Sequence, residues 1–242
     1  MSESSPGHLL VIATAMDLEA QPFLDRLTNP TSHRIANQTW TTGFIDDVPV
    51  AVVVTGIGLA NAAAAAARTH MLFDNALAGY ICAGTCGGLG ADVAVREVIV
   101  GSEFVYSRAD ATAFGYAPGQ VPGLPATFPA DARLVAAFTE PGFTTPATRV
   151  GQVASSDAFV TATTVESTRE VFPLALGADM ESTAAAQVCS QLQIPFISVR
   201  GVSDLCGPRA GEDFHIDAAD AAALSAQVVC RTLPRAVEAV RA

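Results

Sequence analysis

The sequence predicts a single α/β domain in which helices pack on a parallel or mixed β-sheet. Apolar runs alternate with helical patterns. For example, the apolar run 171–176 is followed by an alanine-rich helix after Glu181 and then by a second apolar run, Pro195–Val199. Such alternation is typical of crossover units between the strands of a sheet. Half of the 242 residues are hydrophobic, which is enough for one large core. No internal repeat and no linker divides residues 9–242 into two domains.

The charge and the cysteines of the chain argue against several classes of partner and site. The net charge is −11 and the 13 lysines and arginines are scattered, so neither nucleic acid nor an anionic membrane is expected as a partner. No stretch approaches the roughly 18 apolar residues of a membrane helix. The apolar run Leu9–Ala15 follows no basic residue and predicts a buried strand rather than a signal peptide. Five cysteines without a metal-ligand pattern predict buried thiols in a reducing compartment, and we expect a cytoplasmic protein.

Local patterns predict the elements in chain order. Residues 1–8 are polar and predict a disordered tail. Asn29–Ser32 is expected to end the first helix, and residues 107–131, rich in glycine and proline, predict a long loop. The predicted strands are Leu9–Thr14, Gln38–Phe44, Val48–Thr55, Ala78–Ala83, Val98–Val105, Arg149–Ala154 and Phe196–Gly201, and the predicted helices are Ala15–Leu24, a run through Ala62–Ala67, Ala132–Phe138, Val165–Phe172 and a last helix from Ala218 onward.

Two glycine-rich stretches follow predicted strands. The first, Gly56-Ile57-Gly58, would let a ligand approach the backbone closely. Asn61 stands where a dinucleotide fingerprint has its third glycine, so NAD is not expected. The second, Gly84–Gly90, contains four glycines in seven residues. It is interpreted either as a backbone cradle for a sugar or phosphate or as a tight crossing of neighbouring chain segments, and the residues alone leave both open.

Acidic residues stand beside three predicted strands. Glu19 lies in the first turn of the first helix, Asp204 follows the last core strand, and Glu181 opens the alanine-rich helix. Ligands of open α/β sheets collect outside the carboxyl ends of strands, where helices begin. Each acid also has a purely structural interpretation, as a negative charge at a helix N-terminus or as a helix cap.

Eight short motifs occur in a fixed order, and none of them is specific alone. They are Ala15-Met16-Asp17-Leu18-Glu19, Thr55-Gly56-Ile57-Gly58, Ala83-Gly84-Thr85-Cys86-Gly87-Gly88-Leu89, Ala111-Thr112-Ala113-Phe114-Gly115-Tyr116, Gln120-Val121-Pro122-Gly123, Ser156-Asp157-Ala158-Phe159, Asp179-Met180-Glu181 and Val202-Ser203-Asp204. Together they resemble the 5′-methylthioadenosine/S-adenosylhomocysteine nucleosidases of the nucleoside phosphorylase superfamily, over residues 9–235. The resemblance implies an α/β fold with a central mixed, partly closed β-sheet flanked by helices, a homodimer, and a small purine nucleoside as substrate. No metal or other cofactor is expected.

The resemblance also implies a role for individual residues. Asp204 is the expected acid that protonates purine N7, and Glu19 the expected base that orients and deprotonates the attacking water. Glu181, with Met180, is expected to hold the ribose hydroxyls. The remaining expected substrate contacts are Asp179 and Ser203 in the same motifs, Phe159 and Val160 at the base, Ala15, Ile57 and Thr85 at the sugar, and Phe114 and Pro122 reaching across the dimer to the neighbour's 5′ substituent.

The chemistry of the reaction requires these residue types. Breaking a nucleoside C–N bond leaves cationic character on the ribose and negative charge on the base, so groups that stabilise both ends lower the barrier. Asp204 must therefore carry a proton near pH 7, while Glu19 must be ionised to act as a base. A pair of carboxyl groups with opposed protonation states is also how inverting glycosidases work.

Three other functions remain open at this stage. Superfamily members that use phosphate need arginines near the first strand–helix turn and just before the central glycine-rich stretch. Those places hold Asp17, Leu18, Cys82 and Ala83, so we expect a cleft without a cation for phosphate, and hydrolysis rather than phosphorolysis. The segment 206–211 is unlike the common form of the family, which leaves a futalosine or aminofutalosine hydrolase open. A non-catalytic nucleoside-binding protein on the same scaffold is the last alternative.

Overall fold

A computed structural model describes residues 9–139, 146–207 and 210–241 of the chain, with the side chains of 211–217 left out. The predicted tail at 1–8 lies outside the described residues. The strands are β1 (Leu9–Thr14), β2 (Thr28–Ile35), β3 (Gln38–Ile45), β4 (Val48–Val54), β5 (Leu77–Gly88), β6 (Val98–Tyr106), β7 (Phe128–Pro129), β8 (Thr148–Ser155), β9 (Ala175–Asp179) and β10 (Phe196–Asp204). The helices are α1 (Asp17–Leu24), α2 (Leu59–Phe73), α3 (Ala132–Thr139), α4 (Val165–Val171), α5 (Ser182–Gln191) and α6 (Ala210–Arg241).

One sheet runs through the molecule, and part of it closes on itself. In the described part of the chain, β5, β10, β6, β8 and β9 pair in a ring, because β5 bonds to β10 on one side and to β9 on the other. From β5 the sheet continues outward through β1, β4, β3 and β2. Pairs such as β1–β4 and β5–β10 are parallel, whereas β6–β10 and β5–β9 are antiparallel. The prediction of a mixed, partly closed sheet flanked by helices is confirmed.

The ring closes at the glycine-rich end of β5. Gly87 pairs with Ala178 and Gly88 with Gly177, so a strand and its partner meet at small residues. A Cβ atom on Gly87 would lie 2.5 Å from Cys206 Sγ, and one on Gly88 would lie 3.0 Å from side-chain carbons of its neighbours. A side chain at either position would force these neighbours to shift. The geometry supports a tight crossing, the cradle interpretation stays a prediction, and the stretch is a strand as far as Gly88.

The core lies on both faces of the sheet, as the alternation of side chains along a strand requires. In β1, Leu10 and Ile12 face one cluster and Val11 and Ala13 face the other. The first cluster contains buried side chains from α1, α3 and α6, and the second contains alanines of α2 and α5. Helices thus cover the sheet from two sides and leave the strand ends accessible.

Two predictions of local structure are wrong. Asn29–Ser32 does not end a helix but lies in β2, an edge strand that pairs with β3 and is exposed along its whole length. Such a strand has no buried face, so its sequence shows no alternation, and Pro30 is tolerated at an edge. The last helix begins at Ala210 rather than Ala218. Within the described residues, no helix combines the length and apolar character that a membrane crossing requires.

Candidate active site

A cavity of about 320 Å³ lies where the ends of several strands meet the beginnings of helices. It receives residues that follow β1, β4, β8 and β9, together with the last residues of β5 and β10. Its walls are formed by Ala15, Met16, Glu19, Ile57, Thr85, Cys86, Gly87, Phe159, Ala178, Asp179, Met180, Glu181, Ser203 and Asp204.

Nearly all the residues expected at the site line this one cavity. The exceptions are Val160, Phe114 and Pro122. Val160 is buried and lines a smaller adjoining cavity of about 20 Å³ beside Phe159 and Asp204. Phe114 is 82% exposed and Pro122 is exposed, both in the loop between β6 and β7. The substrate contacts expected of all these residues stay predictions.

Glu19 is buried and held as a hydrogen-bond acceptor. Its Oε2 accepts from the backbone N–H groups of Ala15 at 2.9 Å and Met16 at 3.2 Å. Its Oε1 accepts from the backbone N–H and the hydroxyl of Thr85, both at 2.8 Å. Because both oxygens face donors, the carboxylate is fixed in one orientation at the edge of the cavity. This arrangement suits a group that takes up a proton.

A glycine makes room for that carboxylate. Gly84 has φ +141°, and a Cβ atom there would lie 2.5 Å from the Glu19 carboxyl carbon. Any side chain at this position would displace Glu19, which explains a glycine in the middle of the buried strand β5. The helix-terminal interpretation of Glu19 is also met, since its contact with the Met16 N–H belongs to a capping box.

Glu181 projects from the turn between β9 and α5 and is 5% exposed. Its Oε1 accepts from the Gly58 N–H at 3.0 Å, and its Oε2 lies 3.4 Å from a guanidinium nitrogen of Arg200. Burial raises the pKa of Glu181 to about 7, against the lowering effect of Arg200, with Asp179 and Glu19 raising it further. The group therefore titrates in the physiological range.

Asp179 directs its carboxylate into a buried polar network. It accepts from the hydroxyls of Ser155 at 2.5 Å and of Ser182, and its Oδ2 lies 3.0 Å from the Arg200 guanidinium. The Ser182 hydroxyl also meets the Ser198 hydroxyl at 2.7 Å. Asp179 thus connects the start of α5 to β8 and β10. It also lines the cavity.

Arg200 is the charged residue at this site that sequence reasoning missed. It is 1% exposed and bridges Asp179 and Glu181 from beneath the cavity. Arg200 is not among the residues that line the cavity, and the expectation of a cleft without a cation for phosphate stays a prediction. Arg200 lies in the middle of β10, four residues before Asp204. A single arginine within an apolar strand was the signal that could have found it.

Asp204 ends β10 and is 1% exposed. Its Oδ2 accepts from the Ser203 hydroxyl at 3.0 Å and its Oδ1 from the Cys206 N–H at 2.9 Å. The Cys206 thiol lies close by, and burial, with the negative charge of Asp204, raises its pKa to about 12. The thiol is therefore neutral at physiological pH. Cys206 and Cys86 were not among the expected site residues.

The Phe159 side chain, 45% exposed, lines the cavity and its smaller extension, both of which Asp204 also lines. The cavity thus has an aromatic side chain and the buried Asp204 in one part of its wall, and two carboxylates paired with Arg200 in another. This arrangement can hold a polyhydroxylated ring at the Glu181 end and a flat heterocycle at the Phe159 end.

Comparisons with known proteins agree with this geometry. A family model described as Phosphorylase superfamily matches residues 9–234. The 5′-methylthioadenosine/S-adenosylhomocysteine nucleosidase of Anoxybacillus flavithermus is 33% identical over 223 residues, which cover 91% of this chain and 95% of the relative. The nucleosidase of the same name from Bacillus subtilis is 32% identical over 230 residues, covering 93% of this chain and 98% of the relative.

Solved structures give the same result. The nucleosidase from Neisseria meningitidis, in complex with methylthio-immucillin-A, matches with a TM-score of 0.89 at 33% identity, covering 93% of this chain and 98% of that one. The nucleosidase from Colwellia psychrerythraea, in complex with adenine, matches with a TM-score of 0.91 at 32% identity, covering 95% and 96%. The chain therefore belongs to the 5′-methylthioadenosine/S-adenosylhomocysteine nucleosidase family of the phosphorylase superfamily.

Proposed function

We propose that the protein hydrolyses the N-glycosidic bond of 5′-methylthioadenosine and S-adenosylhomocysteine, releasing adenine and the 5-substituted ribose. The observation that carries this proposal is that Glu19, Glu181 and Asp204 line one cavity. The relatives that bear this activity in their names match nearly the whole chain.

The bond changes assign opposite tasks to the two catalytic carboxyl groups. The C1′–N9 bond breaks and its electron pair goes to the purine, while a water oxygen bonds to C1′. Glu19 takes a proton from that water, and Asp204 donates a proton to purine N7. The donors around Glu19 hold its oxygens in place before the water arrives, so little reorganisation is needed in the transition state.

The ribose is held at the Glu181 end. A carboxylate of Glu181 accepts hydrogen bonds from the 2′ and 3′ hydroxyls, which fixes C1′ between the water and the base. Arg200 supports Glu181 from below, since its guanidinium nitrogen lies 3.4 Å from Oε2. Phe159 covers the purine face, and Ile57, 52% exposed at the rim, lies towards the sugar end.

Water rather than phosphate is the proposed co-reactant, although a cation is present. Arg200 is engaged by two carboxylates and is 1% exposed, so its charge is already balanced beneath the cavity wall. A phosphate dianion would also face Glu19, whose negative charge repels it. Both observations favour hydrolysis.

A homodimer and a cytoplasmic location complete the proposal. Phe114 exposes 82% of its surface on the loop between β6 and β7, which suits a side chain that covers a neighbour's cavity. All five cysteines are buried and unpaired, as expected in a reducing compartment.

The test is a product assay with purified protein on methylthioadenosine, adenosylhomocysteine, aminofutalosine and inosine, each with and without phosphate. We expect adenine from the first two at a rate that phosphate does not change. A requirement for phosphate would indicate a phosphorylase, and exclusive cleavage of aminofutalosine would indicate a different substrate. Binding of methylthioadenosine without any release of base would refute catalysis.

A further inference from the structure

The N-terminus of α2 supplies no cap of its own. Its N-cap residue is Gly58, the helix has no acidic residue in its first turn, and no side chain of the N-cap position bonds to the helix. Gly56 and Gly58 have φ values of +85° and +107°, which turn the chain sharply from β4 into the helix. The first N–H groups of α2 are therefore left to be satisfied by distant residues.

Two carboxylates from different loops fill this role. The Gly58 N–H donates to Glu181 Oε1 at 3.0 Å, and the next N–H along the chain, that of Leu59, donates to Asp157 Oδ1 at 2.7 Å. The partners are 123 and 98 residues away in sequence. The positive end of a helix of 15 residues favours both negative groups.

The approach of Asp157 depends on glycine. A Cβ atom on Gly58 would lie 2.9 Å from Asp157 Oδ1, and its φ is one that other residues rarely adopt. The positive φ and this contact together account for the second glycine of the turn.

Asp157 belongs to the short segment that carries Phe159. This segment leaves β8 at Ser155, and its Ser156 N–H donates to the Asp179 carbonyl at 3.1 Å. Asp157 then ties the segment to α2, two residues before the aromatic ring that lines the cavity. Since Asp157 itself is exposed, its contact with Leu59 is not a requirement of core packing.

We propose that Asp157 is a positioning residue: by binding the N-terminus of α2 beside Glu181, it sets the place of Phe159 relative to the ribose-holding carboxylate. The residues that contact the two ends of the substrate are then both held by the N-terminus of α2. This inference rests on the proposed function in one respect, namely that the aromatic face receives adenine.

The experiment compares Asp157→Ala and Asp157→Asn with wild type by titration calorimetry, using adenine and 5-methylthioribose as separate probes. In Asp157→Ala we expect the Kd of adenine to rise by about 5- to 20-fold. This rise corresponds to a partial loss of the affinity that stacking a base on an aromatic ring provides. The Kd of 5-methylthioribose should stay within about twofold, because Glu181 keeps its own N–H donor. Asp157→Asn retains an acceptor oxygen and should recover most of the adenine affinity.

Asp131→Ala is the matched control. The Asp131 carboxylate also accepts from backbone N–H groups at the start of a helix, those of Arg133 at 2.9 Å and Leu134 at 3.4 Å in α3, but it lies outside the cavity walls. It should lower the Tm as a lost cap does and leave adenine binding unchanged.

We call the contact of Asp157 with the N-terminus of α2 the tether. If Asp157→Ala binds adenine as tightly as wild type does, the positioning role of the tether is refuted whatever the Tm of the variant, and the proposed hydrolysis is not affected. An equal loss for adenine and 5-methylthioribose would also overturn it, because a general loosening of the site has that effect. If Asp157→Ala does not fold, Asp157→Asn is the deciding variant. The tether requires that its Kd for adenine lie within about fivefold of the wild-type value, and a larger rise in the Kd overturns the proposal. Wild-type protein that binds adenine but does not cleave methylthioadenosine would refute the proposed function and leave the tether comparison valid.

Discussion

The two ends of the cavity hold buried carboxyl groups in different surroundings. At the sugar end, Glu19 accepts from backbone N–H groups and Thr85, and Glu181 shares the Arg200 guanidinium with Asp179. At the base end, Asp204 accepts from Ser203 and from the Cys206 N–H beside a thiol that is neutral at physiological pH. Carboxyl groups are thus given two environments, and the protein needs this difference if one acid is to donate a proton and the other to accept one.

The comparison is tested most severely by removing each acid in turn. Glu19→Gln and Asp204→Asn should each lower kcat/KM for methylthioadenosine by about 10²- to 10⁴-fold, the usual value of a positioned acid or base. Both changes keep the shape of the side chain. Asp204→Asn should change the Tm little, because the new amide can donate to the Ser203 hydroxyl, whereas Glu19→Gln sets an amide NH₂ group against backbone N–H donors and should lower the Tm. Adenine release followed by chromatography gives the rates, and full activity in either variant would refute the role of that residue.

Loss of the buried cation Arg200 should destabilise the protein more than loss of an arginine at the surface. Arg200→Met would leave Asp179 and Glu181 buried without their guanidinium, and breaking a buried pair in this way costs about 3–5 kcal/mol. Arg96→Met removes an ion pair with Asp220 in which both side chains are more than half exposed, and should cost about 0–1 kcal/mol. Urea denaturation measures both variants, and equal losses would contradict the assigned importance of Arg200.

The pH dependence of sugar binding tests the ionisation of Glu181. The pKa of Glu181 is raised to about 7, chiefly by burial, so the group is increasingly protonated as the pH falls below that value. If only the ionised form accepts from the ribose hydroxyls, the affinity for 5-methylthioribose should fall about tenfold per pH unit below 7. Asp179→Asn should move the midpoint to lower pH, because Asp179 is one of the negative groups that raise this pKa.

Calorimetry between pH 5.5 and 8 measures this effect, and Glu181→Gln serves as the control with no titrating group. An affinity of the wild-type protein that does not change over this range would contradict the assignment of Glu181 as the sugar acceptor.

Phe114 should have the smallest effect, and only in an assembled dimer. Phe114→Ser should raise the KM for methylthioadenosine by about three- to tenfold, since only a part of the roughly 1.5–3 kcal/mol for full burial of such a side chain is expected at a subunit boundary. The kcat should stay nearly constant because Phe114 lies outside the cavity of its own subunit. Light scattering on both proteins checks the subunit number, and a monomeric wild-type protein of full activity would refute the cross-subunit role.

Sequence reasoning found the acids but not the cation that organises them. Glu19, Glu181 and Asp204 stand where strands give way to turns and helices, and such positions can be recognised from local patterns. Arg200 lies inside a strand, and its importance depends on two carboxylates, Asp179 at the end of β9 and Glu181 in the turn that follows. A single arginine within the apolar strand β10 was the available signal.

Closure of the sheet could not be obtained from local patterns. It depends on Gly87 and Gly88 meeting Ala178 and Gly177, a pairing about 90 residues apart in sequence, and it entered the prediction only through the family resemblance. The edge strand β2 was missed for the opposite reason. A strand with both faces exposed has no hydrophobic period to recognise.

The distribution of protons between the two ends of the cavity can be observed directly. Neutron diffraction from crystals grown in D₂O, with an uncleavable methylthioadenosine analogue bound near pH 7, would locate deuterium on the carboxyl groups. We predict a deuteron on Asp204 directed at N7 of the base and none on Glu19, which should accept from a bound water. A deuterated Glu19 facing an ionised Asp204 would contradict the division of roles on which the proposed reaction depends.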